Sequence, residues 1–300
     1  MRVAILGGAG HIARTLTPCL PATWQLTLFT DHSQTIDRTL VGNVLIRPYD
    51  AIAHDRYDIV INAAGPGDPA HHRDLGGAVL DIMARFDAMA MAMIERHPGT
   101  AYIHLSSGAI YGADYSRPVG DDTALCIPPN RIEAEHYYAL AKIYAEARHR
   151  ALAPLAIADI RIFGYFTRHI DAASGFFLSQ VAACLRAGKL FETSPHDFVR
   201  DLISPGDLAQ LIVRLAEAGV PHGFYDAVSA RPTTKFAILD RLTVELNLEV
   251  RVTDEGSPHR LPLPDRISTC TRATQLGYHP SLSSLDLVLR EVGALTKQSR

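Results

Sequence analysis

The first thirteen residues constrain the fold more than any other stretch of the chain. Val3 to Leu6 is an apolar run of the length a strand buried on both faces needs. It leads directly into Gly7, Gly8 and Gly10, after which Ile12-Ala13-Arg14-Thr15-Leu16 can begin a helix. Strand, glycine turn and helix in that order make a phosphate-binding fingerprint. Gly7 permits the tight turn, Gly10 lets the backbone approach a pyrophosphate, and the small Ala13 lets the helix pack closely on the strand. The helix N-terminus offers free N–H groups and a positive dipole end, which makes His11 and Ile12 further contact candidates. A glycine cluster can also be a plain turn, but its place directly after a strand favours nucleotide binding.

The chain beyond repeats the alternation. Gln25 to Thr30 reads as a second strand ending at Asp31, 24 residues past Gly7. At that distance a carboxylate can accept hydrogen bonds from both ribose hydroxyls and repel a 2′-phosphate, which favours NAD over NADP, although Arg38 stands nearby. Asp31 as a simple turn former is the competing reading. Val44 to Ile46 is a third strand and Asp58 to Gly65 a fourth, the latter ending in Ala63, Ala64 and Gly65. Those small residues let backbone lie against a cofactor. The spacing Leu75, Val79, Ile82, Phe86, Met89, Met93 predicts one long amphipathic helix ending near Pro98, its methionine stripe fitting core or subunit interface. A strand over Ala101 to Leu105, a helix from about Ile132 to Leu152 and a strand over Ile157 to Phe163 follow. Together these imply an α/β fold with a doubly wound parallel sheet. Past Gly164 the alternation weakens; Asp207 to Ala216 reads as a helix and Phe224 to Val228 as a returning strand.

Composition narrows the function classes. A net charge of −3 leaves no electrostatic footprint for nucleic acid or an anionic membrane, and no apolar run is long enough to span a bilayer. Cys19, Cys126, Cys184 and Cys270 are scattered, which argues against a zinc site or disulfide framework and fits a reducing cytoplasm. No metal is expected, and His71-His72 reads as solvated loop.

The chemistry-bearing group is Tyr138-Ala-Leu-Ala-Lys142. A phenol and an ammonium four residues apart share one helix face. A nearby cation favours phenolate, lowering the tyrosine towards working pH, and such a tyrosine can exchange a proton with an alcohol or carbonyl oxygen as hydride moves at the attached carbon. Ser107, at the end of the fifth strand, can hydrogen-bond the same oxygen. The plain alternative is a tyrosine packed beneath a solvated lysine.

These pieces resemble the extended short-chain dehydrogenase/reductases, specifically the NAD-dependent epimerase/dehydratase group that acts on nucleotide sugars. The matching stretches are Gly7-Gly-Ala-Gly-His-Ile-Ala13, Ala63-Ala-Gly65, Ser106-Ser-Gly-Ala-Ile-Tyr-Gly112, Tyr138-x-x-x-Lys142, Arg161-Ile-Phe163, Val199-Arg-Asp-Leu-Ile-Ser-Pro-Gly-Asp-Leu-Ala209 and Leu276-Gly-Tyr-His-Pro280. The resemblance implies a Rossmann-type NAD-binding domain over residues 1–163. A smaller substrate-binding portion follows over 164–300, with roughly 206–230 returning to the sheet. It makes Ser107 the catalytic serine, Tyr138 the acid/base, and Lys142 the residue that holds the nicotinamide ribose and tunes the tyrosine. Ser107, Gly108 and Arg200 are the implied substrate contacts, Arg200 towards the pyrophosphate, with an ion pair to Asp197 or Asp201 as its other reading. A homodimer through the two long helices is the implied assembly.

Departures from the pattern matter. Gly164 stands where the family usually has Asn. A further Asn of the helix after the fourth strand is not evident, and Asp87 is the nearest polar candidate. Gly108-Ala109 replace the Asp-Glu pair of the dehydratases, which argues against dehydration. The resulting expectation is NAD-dependent hydride transfer at a hydroxyl or keto carbon of a nucleotide sugar, as an epimerase. An NDP-4-keto-6-deoxysugar reductase consuming NAD(P)H is the first alternative, and a catalytically silent NAD-binding sensor or scaffold the second. Phe191 fits either a nucleobase stack or the core.

Overall fold

The structure, a computed structural model, describes residues 1–32, 34–67, 69–112, 117–171, 174–253 and 265–297. Six strands come first: β1 (Arg2–Leu6), β2 (Gln25–Thr30), β3 (Leu45–Pro48), β4 (Ile59–Asn62), β5 (Ala101–Ser107) and β6 (Ile157–Ile162). Helices α1 (His11–Leu16), α2 (Arg38–Val41), α3 (Pro69–Leu75), α4 (Ala78–Arg96) and α5 (Ala134–Ala151) lie between them. The rest comprises α6 (Phe177–Ala187), β7 (Phe191–Thr193), β8 (Val199–Arg200), α7 (Pro205–Glu217), β9 (Gly223–Ala227), β10 (Thr233–Thr234), α8 (Lys235–Leu246), β11 (Val250–Val252), α9 (Arg272–Gln275) and α10 (Ser284–Lys297).

One seven-stranded sheet runs β3-β2-β1-β4-β5-β6-β9, every pair parallel. Parallel strands are buried on both faces, which is why β1 and β4 are almost wholly apolar, whereas β5 and β6 also bury His104, Asp159 and Arg161. In β1, Val3 and Ile5 pack with α1 and α7, while Ala4 and Leu6 pack with α4. Strand order reverses between β1 and β4, so the crevice beyond their C-terminal ends is where this architecture binds ligands. A separate core of Phe166, Leu178, Val181, Leu239 and Val288 forms around α6, α8 and α10.

The expected single helix from Leu75 to Met93 is in fact two. Gly76, at φ +51°, turns the chain between α3 and α4. L-residues avoid that conformation, so the glycine pair overrides an apolar periodicity that runs through it. The methionine stripe is core: Met83, Met91 and Met93 are buried. Helix α7 begins two residues earlier than Asp207 because Ser204 caps it, accepting from the Asp207 N–H, with Pro205 in the first turn.

Candidate active site

The glycine turn is sterically closed to anything larger. Gly7 has φ +78°, and a Cβ there would lie 2.7 Å from Ala64 Cα and 2.8 Å from the Ala63 carbonyl oxygen. The Gly10 N–H donates to the Gly7 carbonyl at 2.8 Å, and the first backbone bond of α1 runs from Arg14 N to Gly10 O. Gly10 caps α1 without a side chain. The N–H groups of His11, Ile12 and Ala13 at that helix start therefore have no intrahelical acceptor. Gly65, at φ +133°, passes over the Met83 sulfur, where no Cβ would fit. His11 packs edge-on against Tyr165, and burial together with Arg14 lowers it to about 4, so it is neutral at physiological pH. Asp31 is exposed at the end of β2. Tyr49, which the sequence reading missed, lies near the Gly7 backbone and within electrostatic reach of Asp31. Its one sequence signal is position, immediately past the C-terminal end of β3.

Ser107 ends β5 and Tyr138 lies in the first turns of α5. The Ser107 hydroxyl lies within interaction range of the Tyr138 phenol, and Ser107 Oγ accepts from the Ala109 N–H at 3.1 Å. Burial pushes the Tyr138 phenol up, opposed by the Ser107 hydrogen bond and the Arg266 charge. Lys142 is not among the groups that shift the phenol. Lys142 Nζ sits 5.9 Å from the Tyr138 ring centroid and donates to Leu105 O at 2.6 Å. The lysine is 3 % exposed, and burial lowers it to about 8 against the pull of Asp159, Glu146 and Asp87. The ammonium is thus held near the Tyr138 ring by a strand carbonyl. His71-His72, read as solvated loop, belongs to α3, and His72 stacks on the Tyr138 ring at 4.2 Å.

Under Lys142 lies a set of charged groups that the sequence reading left out. His104 Nε2 is 3.2 Å from Lys142 Nζ, and His104 Nδ1 is 2.8 Å from Asp159 Oδ1. The same oxygen is 2.7 Å from His149 Nδ1, and His149 Nε2 is 2.8 Å from Asp87 Oδ1. Asp87 is therefore not a stand-in for a cleft Asn; its carboxylate binds His149, Tyr102 and Arg148. Ligand-type atoms of His104, His149 and Asp159 come within 4.8 Å of one another. Their hydrogen-bond spacings, with an ammonium on the remaining His104 nitrogen, are those of proton-bearing nitrogens filling the space. Beside this set Glu146, wholly buried, takes a two-pronged bond from Arg161 and a bond from Ser106. Tyr138, Lys142, Glu146 and His149 make a polar stripe at helical spacing along the inner face of α5, and that spacing was the available signal.

Arg200 stacks on Phe198, 4.1 Å from the ring centroid, and donates to the Val199 carbonyl. It pairs by a β-bridge with Arg266, the residue whose charge reaches Tyr138. Arg266 went unnoticed because nothing local marks it. Gly108 lies against Phe163, whose ring would be 2.8 Å from a Cβ, which explains the lack of an acidic side chain there. Gly164 is equally forced: a Cβ would sit 2.8 Å from the Asp201 carbonyl and 2.7 Å from Leu202. No Asn fits at that position. Phe191 belongs to the second core, packed edge-on against Phe177.

A parallel seven-stranded sheet with a glycine turn at its switch point defines a Rossmann-like α/β protein. The chain belongs to the NAD dependent epimerase/dehydratase family, whose profile matches residues 3–226. The fold is similar to UDP-glucose 4-epimerase from Thermotoga maritima, solved with UDP-glucose, at TM-score 0.80 and 16% identity over 100% of both chains. It is also similar to dTDP-glucose 4,6-dehydratase from Bacillus anthracis in complex with NAD, at TM-score 0.79 and 13% identity over 100% of both. UDP-N-acetylglucosamine 4-epimerase from Methanobrevibacter ruminantium, with UDP-N-acetylmuramic acid, gives TM-score 0.80 and 15% identity over 99% of this chain and 98% of that one. A comparison with curated protein sequences finds no match. Among the described residues no helix is long and apolar enough to cross a membrane.

Proposed function

We propose that this chain is an NAD-dependent nucleotide-sugar epimerase in which Tyr138 is the acid/base. The observation that carries the reading is the juxtaposition of the Ser107 hydroxyl and the Tyr138 phenol above a buried lysine, at the strand ends beside the glycine turn. The turn suits a dinucleotide: a Cβ at Gly7 would fill it, and the amides of His11 and Ile12 at the start of α1 have no partner within the helix. Gly7, Gly10, His11 and Ile12 would hold the pyrophosphate. Asp31 would take the adenosine ribose, Ala63, Ala64 and Gly65 would border the cofactor, and Lys142 would hold the nicotinamide ribose. Bound NAD supplies a hydride acceptor and donor.

The chain's own residues manage the proton. The Ser107 hydroxyl donates to the Tyr138 oxygen, stabilising phenolate, and Arg266 adds positive charge on the same side. Phenolate takes the hydroxyl proton of the sugar while the carbinol hydrogen leaves as hydride; the reverse transfer to the other face completes epimerisation. Arg200 and Arg266 suit the diphosphate, since a guanidinium fork matches phosphate oxygens. Residues 164–300 would form the substrate-binding portion. An α4/α5 face with Leu80 and Tyr144 exposed beside a cavity of about 170 Å³ suits a homodimer. The test is incubation with UDP-, dTDP-, CDP- and GDP-sugars while the nicotinamide absorbance is followed. Product without net absorbance change supports the epimerase; steady NADH oxidation identifies a reductase instead; cofactor binding with no turnover on any sugar leaves a sensor or scaffold.

A further inference from the structure

We propose that His104, Asp159 and His149 are positioning residues for Lys142, fixing from beneath the cleft both the direction and the charge of its ammonium. This rests on the reading of Lys142 as the cofactor-ribose ligand. The argument starts from which atoms can donate. An ammonium has three N–H donors and no acceptor, so at 3.2 Å His104 Nε2 must accept, which leaves its proton on Nδ1. That proton meets Asp159 Oδ1 at 2.8 Å. His149 faces a carboxylate with each nitrogen, Asp159 at 2.7 Å and Asp87 at 2.8 Å, so it is an imidazolium. Each unit fixes the tautomer or charge of the next. With Leu105 O and His104 taking two donors, one Lys142 N–H remains for a ribose hydroxyl.

Charge bookkeeping around the lysine is close to balanced. From β6 come Asp159 and Arg161, from α4 Asp87, from β5 neutral His104 and the Tyr102 phenol. Helix α5 itself brings Glu146, His149, Arg148 and the Tyr138 phenol. Glu146 is matched by Arg161, Asp87 by Arg148 and His149, and Asp159 is shared between the two histidines. Asp159 is thus the anion whose removal changes Lys142 most, because its charge does the most to keep the lysine protonated. A helix lysine with only solvent below it would have neither constraint.

The experiment is NADH affinity, by fluorescence titration, from pH 6 to 9.5 for the wild type and Asp159→Asn, which keeps the shape and removes the charge. The wild type should weaken as pH rises through about 8. In Asp159→Asn the midpoint should fall by at least one pH unit. At pH 8 the wild type would then keep about half its low-pH affinity and the variant about a tenth. A purely structural role for Asp159 predicts weaker binding at every pH with an unmoved midpoint, and that result overturns the proposal. Nitrogen-15 NMR of the wild-type histidine rings gives a second readout independent of any variant's folding. His104 should carry its proton on Nδ1 and His149 on both nitrogens; a proton on His104 Nε2 overturns the proposal. A wild type that binds no NADH removes the cofactor reading and this proposal with it, whereas NADH binding with an unmoved midpoint removes this proposal alone.

Discussion

Replacing Gly7 by Ala tests the glycine turn directly. The residue sits at φ +78°, a region that costs an L side chain about 1–2 kcal/mol. The new methyl would also stand 2.7 Å from Ala64 Cα and 2.8 Å from the Ala63 carbonyl, contacts with backbone that no rotamer relieves. Relieving such overpacking costs about 1–3 kcal/mol, so the sum is about 2–5 kcal/mol. At about 2–4 °C per kcal/mol, the melting temperature should fall by roughly 5–15 °C. Because relief means pushing the Ala63–Gly65 segment away, NADH affinity should drop at least tenfold, about 1.4 kcal/mol. Gly42→Ala is the control. Its φ is +72° but nothing lies within 4 Å of a Cβ, so it carries the backbone strain alone. Calorimetry and fluorescence titration on both variants decide the matter. If Gly7→Ala melts no lower than Gly42→Ala and binds NADH as the wild type does, the close approach of the two segments is refuted.

Tyr138→Phe should lower turnover on an accepted nucleotide sugar by about 10²–10⁴-fold while NADH affinity stays within about twofold, and retained turnover removes the acid/base role. Asp31→Ser should shift the NADPH-to-NADH affinity ratio by at least about tenfold towards NADPH, checked by paired titrations; an unchanged ratio makes Asp31 a turn residue. Glu146→Ala leaves the Arg161 guanidinium buried without its bidentate partner and should cost about 3–5 kcal/mol in urea denaturation. Stability should also depend on pH through His149, whose folded value is raised to about 9 by the Asp159 and Asp87 carboxylates, which outweigh burial. A raised histidine contributes fully below about 6.5 and loses its contribution as pH rises through its folded value, so stability should fall by about 1–2 kcal/mol between pH 6.5 and 8. Above pH 8 the lowered Lys142 offsets part of the loss, because deprotonation then relieves the cost of burying its charge. Denaturation midpoints in His149→Gln should lose the downward slope.

By itself the sequence determined the architecture, because its signals are short-ranged and steric. Apolar runs long enough to be buried on both faces, interrupted at regular intervals by helical periodicity, admit little besides a parallel sheet, and Gly7 and Gly10 follow a strand where only a nucleotide-type turn needs them. Tyr138 and Lys142 were legible for the same reason, being a fixed turn apart on one helix. What only the tertiary structure decided is where those groups point and what surrounds them. The lysine is held by Leu105 and His104, residues almost forty positions distant in sequence. Arg266 reaches the tyrosine from near the other end of the chain, and Gly164 is glycine because the backbone of Asp201 lies against it. Charge and contact act through space at a few ångströms, and a sequence records distance along the chain only.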